Sequence, residues 1–340
     1  METKYISSES LQKWLAALLK EGREVFAPVE KNGKTDFRMV KNADEISMGH
    51  IQTIQSVKSI TFPRTETLFS YKKGKNDVEL KDFDAEAVRE KVVFGLHPCD
   101  AAGFIPLSAI FNWDTKDKPF NTHMSKTTLV SMACTQHDAY CFCTSVNGGP
   151  CNTAGSDILL TPAEDGYIVE IITEKGKALA DVCAAFFEPD KKLDKNNYST
   201  QIPIKFSSVQ LEGKLSYMFD SEVWKQQSER CLGCGACAFV CPTCACFDIQ
   251  EDNNGKEGRR VRCWDSCGFS LFTQHTSGHN PREVQSQRWR QRLLHKFSYM
   301  PERLSVRGCT GCGRCSRACP VDMNICEHLT SIATMEVVKM

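Results

Sequence analysis

Residues 231–242 read Cys231-Leu-Gly-Cys234-Gly-Ala-Cys237-Ala-Phe-Val-Cys241-Pro242. The same spacing returns near the end of the chain as Cys309-Thr-Gly-Cys312-Gly-Arg-Cys315-Ser-Arg-Ala-Cys319-Pro320. Both segments follow the pattern C-x2-C-x2-C-x3-C-P. The close spacing lets three thiolates converge on one group, and the glycines between them let the backbone wrap around it.

This spacing is the bacterial ferredoxin signature for 4Fe–4S clusters. In two-cluster proteins of this type, the fourth cysteine, which precedes proline, ligates the other cluster. The sequence therefore predicts two clusters with crossed ligands. The first would be held by Cys231, Cys234, Cys237 and Cys319, and the second by Cys309, Cys312, Cys315 and Cys241.

Zinc and disulfides are the competing interpretations of these cysteines. A structural zinc site needs two C-x2-C pairs, or cysteine with histidine, around one tetrahedral ion. It requires neither a third cysteine at the same spacing nor the trailing Cys-Pro. A disulfide framework is disfavoured because the chain is long, shows no export signal and has closely spaced thiols that suit a metal.

Composition indicates two domains. The chain has 340 residues, 25% of them charged, and a formal net charge of zero, which points to no polyanionic partner. Thirteen of the 19 cysteines lie from Cys231 onward. We therefore expect a domain over residues 1–225 and a cluster-rich domain over residues 226–340. The first residues lack a signal-peptide pattern, and no run reaches the roughly 18 apolar residues of a membrane span, which favours a cytoplasmic protein without direct membrane insertion.

The first domain has the pattern of an α/β fold with a mixed or parallel sheet. Apolar residues recur at helical spacing over residues 8–21, and residues 24–29 and 36–40 have the pattern of a hairpin. Residues 92–96 and 127–133 are apolar runs without alternation, as in strands buried on both faces.

Cysteines follow both of these buried strands. Because ligands of open α/β sheets sit at the carboxyl ends of the strands, Cys99 and Cys134 are expected at one sheet edge. Cys141 and Cys143 follow in a short loop, so these four residues are candidates for a third iron–sulfur cluster. Ordinary burial of free cysteines is the alternative.

The second domain has the pattern of a bacterial-ferredoxin-like two-cluster fold with a helical insertion. Between the two motifs lies a basic segment, residues 283–299, which carries Arg288, Arg290, Arg292 and Lys296. These cations either raise the potential of a nearby anionic cluster or form a solvated helix face. The neutral net charge disfavours nucleic-acid binding. For Cys244, Cys246, Cys263 and Cys267, packing or supporting roles are favoured over a further metal site, because their spacing matches no known pattern.

The ordered set of motifs resembles a known family. The set consists of His-Pro-Cys99-Asp, Ala-Cys134, Cys141-Phe-Cys143, the two cluster motifs with the following Thr-Cys-Ala-Cys246, Trp264-Asp-Ser-Cys267, Gly278-His-Asn-Pro-Arg282 and His295-Lys-Phe-Ser-Tyr299. It is similar to the 4Fe–4S dicluster proteins that include sulfhydrogenase beta subunits, the iron–sulfur electron-transfer component of anaerobic sulfite reductase and electron-input subunits of heterodisulfide-reductase-like complexes. The resemblance implies an electron-transfer subunit that is not catalytic alone. It also implies a flavin- and nucleotide-binding subunit on one side, and a hydrogenase or reductase on the other.

Three functions remain open from the sequence. The first is an electron relay between a flavin/NAD(P)- or ferredoxin-linked partner and a hydrogenase, sulfite reductase or heterodisulfide-reductase-like partner. It fits the lack of a dinucleotide fingerprint or P-loop in the chain. The second is a reductase whose active site is a cluster edge in the first domain. The third, an iron–sulfur module of nucleic-acid metabolism, predicts salt-dependent DNA binding.

Overall fold

A computed structural model describes residues 2–336, so the terminal residues of both expected domains lie outside the described part. The strands are β1 (Glu2–Ser7), β2 (Glu24–Lys31), β3 (Lys34–Met39), β4 (Thr65–Lys73), β5 (Val78–Asp82), β6 (Lys91–Leu96), β7 (Thr127–Met132), β8 (Ile158–Ala163), β9 (Gly166–Ile171), β10 (Glu188–Pro189), β11 (Phe247–Asn253) and β12 (Glu257–Trp264). They form an eight-stranded sheet in the order β10-β1-β9-β8-β7-β6-β2-β3 and a four-stranded sheet in the order β11-β12-β4-β5.

The α-helices are α1 (Ser8–Lys20), α2 (Pro98–Ala101), α3 (Phe104–Phe111), α4 (Lys118–Ser125), α5 (Glu174–Asp181), α6 (Ser208–Leu215), α7 (Val223–Ser228), α8 (Ala236–Phe239), α9 (Gln285–Leu294), α10 (Met300–Leu304), α11 (Arg314–Arg317) and α12 (Ile325–Thr334). Short 3₁₀ turns occupy Ala43–Glu45, Val57–Ile60, Cys143–Val146, Ala184–Phe186 and Lys195–Tyr198, and a π-helical turn covers His295–Tyr299. No helix among residues 2–336 is long and apolar enough to cross a bilayer.

The large sheet is mixed, which confirms the expected α/β domain. Strands β2, β6, β7 and β8 run parallel to their neighbours in that order, while β3, β9, β1 and β10 are antiparallel additions at the two sides. The side chains of β6 lie on both faces of the sheet. Val92 and Phe94 pack with α1 on one face, whereas Val93 and Leu96 pack with α3 and α4 on the other. Burial on both faces explains why the central strands lack hydrophobic alternation.

The four-stranded sheet joins distant parts of the chain. Strands β11 and β12 form a hairpin between the two cysteine motifs, and β12 pairs antiparallel with β4 from residues 65–73. Arg262 of β12 is 1% exposed and bonds Glu66 and Asp117, with Nη–O distances of 2.5 Å to each. The segment between the two motifs therefore contains a β-hairpin as well as helix α9, and the hairpin attaches to the N-terminal half.

A separate apolar core supports the cysteine motifs. It is formed by side chains from α6, α7, α9 and α12, including Leu211, Trp224, Leu293 and Leu329, all nearly inaccessible to solvent. Helices α6 and α7 lead the chain to the first motif. This core holds α9 against the loops that carry the cysteines.

Candidate metal centre

The two cysteine motifs adopt the same local backbone. Gly233 and Gly235 have φ values of +67° and +73°, and Gly311 and Gly313 have +67° and +72°. Each pair leads directly into a one-turn helix, α8 or α11. Glycine is suited to these positive φ values because it lacks a Cβ atom. The repeated spacing in the sequence thus corresponds to a repeated loop-and-turn structure.

The first predicted ligand set surrounds one cavity. Its wall includes Cys231, Cys234, Cys237 and Cys319, so the last motif contributes across to the first. Cys267 and Cys315 also reach this wall. Gln285 of α9 donates a hydrogen bond from Nε2 to the Cys231 sulfur at 3.0 Å, a contact that the spacing of cysteines alone does not reveal.

The second predicted set also comes together. Cys241 is an electrostatic neighbour of all three motif cysteines, Cys309, Cys312 and Cys315. Burial raises the pKa of Cys309 and of Cys315 to about 12. Thiolates in such surroundings need a cation to hold them ionised, and a coordinating metal deprotonates its thiols outright. The donor set therefore fits a metal centre.

Helix α9 and the π-helical turn direct cations towards the cysteines. Arg288, Arg292 and Lys296 are four residues apart and so lie on one side of the helix. Arg292 places Nη1 3.5 Å from the Cys244 sulfur and donates to the Cys237 carbonyl at 3.0 Å. Lys296 Nζ lies 3.4 Å from the Cys241 sulfur. Arg290 instead stacks on Phe219, with its guanidinium carbon 3.6 Å from the ring centroid.

Three buried cationic side chains next to the cysteines indicate whether an anionic group fits between them. Lys58, Arg292 and Lys296 are 2%, 4% and 4% exposed. Within residues 2–336, none of them has a carboxylate within 4 Å, whereas the buried Arg262 and Arg314 both do. Burial lowers the pKa of Lys296, but the negative charge of the Cys241 and Cys244 thiolates outweighs burial and raises it. Because unpaired buried charge is costly, an anionic iron–sulfur centre bound by these cysteines would supply the missing counter-charge.

The N-terminal cysteines form a third group next to the second set. Cys99 lies in α2 directly after β6, and Cys134 follows β7, the parallel neighbour of β6. Cys134 has Cys141 and Cys143 as electrostatic neighbours, while Cys99 neighbours Cys134 and Cys312. The four candidates for a third cluster are therefore assembled, beside Cys312.

Two ion pairs fix this group to the second motif. Arg314 of α11 bonds Asp100 bidentately, with Nη1–Oδ1 at 2.5 Å and Nη2–Oδ2 at 2.7 Å. Arg317 bonds Asp138 at 2.6 Å and places Nη2 3.3 Å from the Cys141 sulfur. Sequence reasoning did not identify Asp100, Arg314 or Lys58. Lys58 lies in a segment without a recognisable pattern. In contrast, Arg314 and Arg317 lie inside the last cysteine motif, and their position there could have indicated ion pairs next to the cysteines.

The cysteine sets are spread more widely than the ligands of one zinc ion, whose Zn–S bonds are about 2.3 Å. Among residues 2–336, no three His, Cys, Asp or Glu side chains lie close enough together to hold a single metal ion. Of the remaining cysteines, Cys183 packs against the core under α1, and Cys326 is buried in α12.

Comparisons with known proteins agree with this arrangement. Residues 230–323 match the model of the 4Fe-4S dicluster domain family. The chain is 32% identical over 319 residues to sulfhydrogenase 2 subunit beta of Pyrococcus furiosus, covering 92% of each chain. No solved structure matches the chain. Both the motif geometry and the relative's coverage of nearly the whole chain point the same way: the chain belongs to the 4Fe–4S dicluster family that includes sulfhydrogenase beta subunits, and it is an iron–sulfur protein of electron transfer.

Proposed function

We propose that this chain is an electron relay inside a cytoplasmic multisubunit oxidoreductase. Its partners would be a flavin- and nucleotide-binding or ferredoxin-linked subunit on one side, and a hydrogenase, sulfite reductase or heterodisulfide-reductase-like subunit on the other. Each 4Fe–4S cluster, when bound, takes up and releases one electron. The relative's name, a hydrogenase subunit, supports an assembly with other chains.

The observation that carries this proposal is the continuity of the three cysteine sets. Cys315 neighbours Cys241 and Cys312 and also lines the cavity of the first set. Cys312 in turn neighbours Cys99 and Cys143 of the N-terminal set. A chain of adjacent sites, rather than one isolated site, is the arrangement that passing electrons through a protein requires.

The proposed ligands follow the crossed pattern of a bacterial ferredoxin. Cys231, Cys234, Cys237 and Cys319 would hold the first cluster, and Cys309, Cys312, Cys315 and Cys241 the second. Cys99, Cys134, Cys141 and Cys143 would hold a third. In this scheme residues 226–340 carry the dicluster module with its helical insertion. Residues 1–225 carry the third site at the sheet edge, although β4 and β5 pair with the inserted hairpin.

The first cysteine set lies at one end of the three adjacent sets and is accessible to a partner protein. Cys234 is exposed, and the side chain of the nearby Leu232 is 67% exposed. In contrast, Cys312 is buried between the motifs and the large sheet. An apolar side chain in solvent beside a ligand loop suits a docking contact, so we assign the loop around Cys234 as the point where electrons enter or leave.

The test uses the complex purified anaerobically, with its co-purifying subunits identified. Cys234→Ala should lower the iron content and abolish electron transfer between the partner subunits, while the N-terminal domain stays folded. Cys183→Ala, a core cysteine outside all three sets, is the matched control and should preserve both. Undiminished electron transfer through the Cys234→Ala complex would refute the relay.

Two further measurements separate the relay from its alternatives. If the chain purified alone reduced a substrate, a cluster-edge active site in the N-terminal domain would replace the relay proposal. For the third cluster, changing Cys134, Cys141 and Cys143 together to alanine should remove about four irons per chain, because a cubane holds four. Unchanged iron content in that variant would remove the third cluster from the scheme.

A further inference from the structure

A second thiol-lined cavity lies outside the three cysteine sets. Its volume is about 270 Å³, and its wall includes Cys244, Cys246 and Cys267. None of the three belongs to the C-x2-C-x2-C-x3-C-P motifs or to the N-terminal set. The cavity reaches the surface at His295 and Phe247, both of which are exposed.

The β11–β12 hairpin brings these thiols together. Phe247 at the start of β11 pairs with Trp264 at the end of β12. Beyond this pair, Asp265 N donates to the Cys246 carbonyl at 2.9 Å, so the two strands stay in register as they leave the sheet. As a result Cys246 and Cys267, twenty-one positions apart in the sequence, interact directly through their side chains. Cys244 joins them because it precedes Cys246 by two residues.

The charged side chains that line this cavity are all basic. Arg282, Arg292 and Lys296 line it, and no Asp or Glu of the described residues does. Arg292 contacts the Cys244 sulfur at 3.5 Å and also reaches the Cys267 side chain. Arg292 and Lys296 are nearly completely buried, without a carboxylate partner in residues 2–336. The cavity therefore suits an anionic occupant that binds thiolate ligands.

We propose that Cys244, Cys246 and Cys267 bind an additional iron–sulfur cluster of the 4Fe–4S type, with Arg292 and Lys296 as its counter-charges. A cubane bound by thiolates carries the negative charge that the cavity lacks, and three cysteines leave one iron without a protein thiolate. This site goes beyond the relay, whose three cysteine sets do not require it. The cavity also adjoins the first set, because Cys267 and Arg292 lie in the walls of both cavities.

The test compares two double variants of the anaerobically purified full chain. Cys246→Ser with Cys267→Ser should lower the iron content by about four per chain, since one cubane is lost, while the iron of the other clusters remains. The control pairs Cys263→Ser, in the same hairpin but outside the cavity wall, with Cys183→Ser, and should keep all the iron. Iron content that stays at the wild-type level in the Cys246/Cys267 variant would overturn the proposal, whether or not the relay itself operates.

A measurement on the unaltered chain covers the case in which the hairpin variant does not fold. A cubane with only three cysteine ligands loses its fourth iron on mild oxidation and gives the electron paramagnetic resonance signal of a 3Fe–4S cluster. We expect this signal after mild oxidation, and its return to a 4Fe–4S form when ferrous iron and reductant are added. Stoichiometric zinc, or a Cys246–Cys267 disulfide found by mass analysis of the anaerobic protein, would refute the proposal.

Discussion

Asp100 and Arg314 form the most deeply buried ion pair among the described residues. Both side chains are 1% exposed, and the guanidinium meets the carboxylate with two hydrogen bonds. The pair joins α2, which carries Cys99, to α11, which carries Cys315. Such a pair stabilises mainly because losing either member leaves the other charge buried and alone.

We predict that Asp100→Asn lowers the free energy of unfolding by about 3–5 kcal/mol, the usual effect of removing one partner of a buried pair. Urea titration measures it. Glu9→Gln, which breaks the exposed pair with Lys13, is the control and should change the midpoint little. Equal effects of the two changes would show that the Asp100–Arg314 pair has no special role.

Lys296 should influence the redox potential rather than only the stability. Its ammonium group lies 3.4 Å from the Cys241 sulfur and 2.6 Å from the Gly308 carbonyl. Lys296→Met removes a positive charge that favours the reduced, more negative centre. A potentiometric titration should show one midpoint lowered by on the order of 100–200 mV, from Coulomb's law for charges a few ångströms apart at an effective dielectric constant of about 20. Lys225→Met, on the exposed side of α7, should leave all midpoints in place.

His50 makes stability depend on pH. Burial, followed by the charges of His97 and Arg314, lowers the pKa of His50 to about 3. The folded protein therefore binds fewer protons at His50 than the unfolded chain, from about pH 6.5 down to pH 3, and acidification through this window weakens the fold. Between about pH 6 and pH 3, His50 should lower the free energy of unfolding of the wild-type protein by about 1.4 kcal/mol for each pH unit of acidification. We predict that His50→Gln removes this contribution, so that the variant loses stability less steeply in acid. His137→Gln, on the surface, should leave the slope of stability against pH unchanged.

At the level of elements, the sequence was informative where a pattern is local. The helix at residues 8–21, the hairpin of β2 and β3 and the buried strands β6 and β7 follow from periodicity within each segment. The crossed contact of Cys319 with the first motif was predictable because the spacing itself encodes it.

Other elements were missed because their partners are distant. Strand β4 has no local signal, since its pairing with β12 joins residues about 190 positions apart in sequence. All residues of strand β11 are exposed and both β11 and β12 are rich in charge, so neither segment has the apolar pattern of a buried strand. The same hairpin brings Cys246 next to Cys267. The spacing of these cysteines along the sequence therefore could not predict the additional thiol-lined cavity. Tertiary pairing, rather than local propensity, decides these cases.

The turn at Gly311 ties the second motif to the N-terminal cysteine loop. A Cβ atom at this glycine would lie 2.5 Å from Cys143 N, and its φ is +67°. Gly33 has a similar φ of +68° but no atoms within 4 Å of a Cβ position, so Gly33→Ala reports the backbone strain alone. We predict that Gly311→Ala destabilises the protein by about 1–3 kcal/mol more than Gly33→Ala, because close packing adds to the strain. Thermal unfolding of both variants measures the difference, and equal losses would contradict the close packing.

At the scale of the whole molecule, the two halves of the chain are fastened at several places around the cysteine sets. Arg262 bonds Glu66 and Asp117 beneath the hairpin, Arg314 bonds Asp100, and Lys58 donates to the Ala238 and Cys244 carbonyls at 3.0 and 2.8 Å. The N-terminal half therefore forms part of the enclosure of the cysteine sets. This agrees with a relative whose similarity spans nearly the entire chain rather than the dicluster motif alone.

We propose above all that cysteines from opposite ends of one region bind two four-iron clusters in a crossed arrangement. Anomalous diffraction at the iron absorption edge, from crystals grown without oxygen, tests it most directly. We predict one cluster bonded to Cys231, Cys234, Cys237 and Cys319, and a second bonded to Cys309, Cys312, Cys315 and Cys241. A map in which Cys241 completes the cluster of its own motif, or in which these cysteines bind no iron, would contradict it.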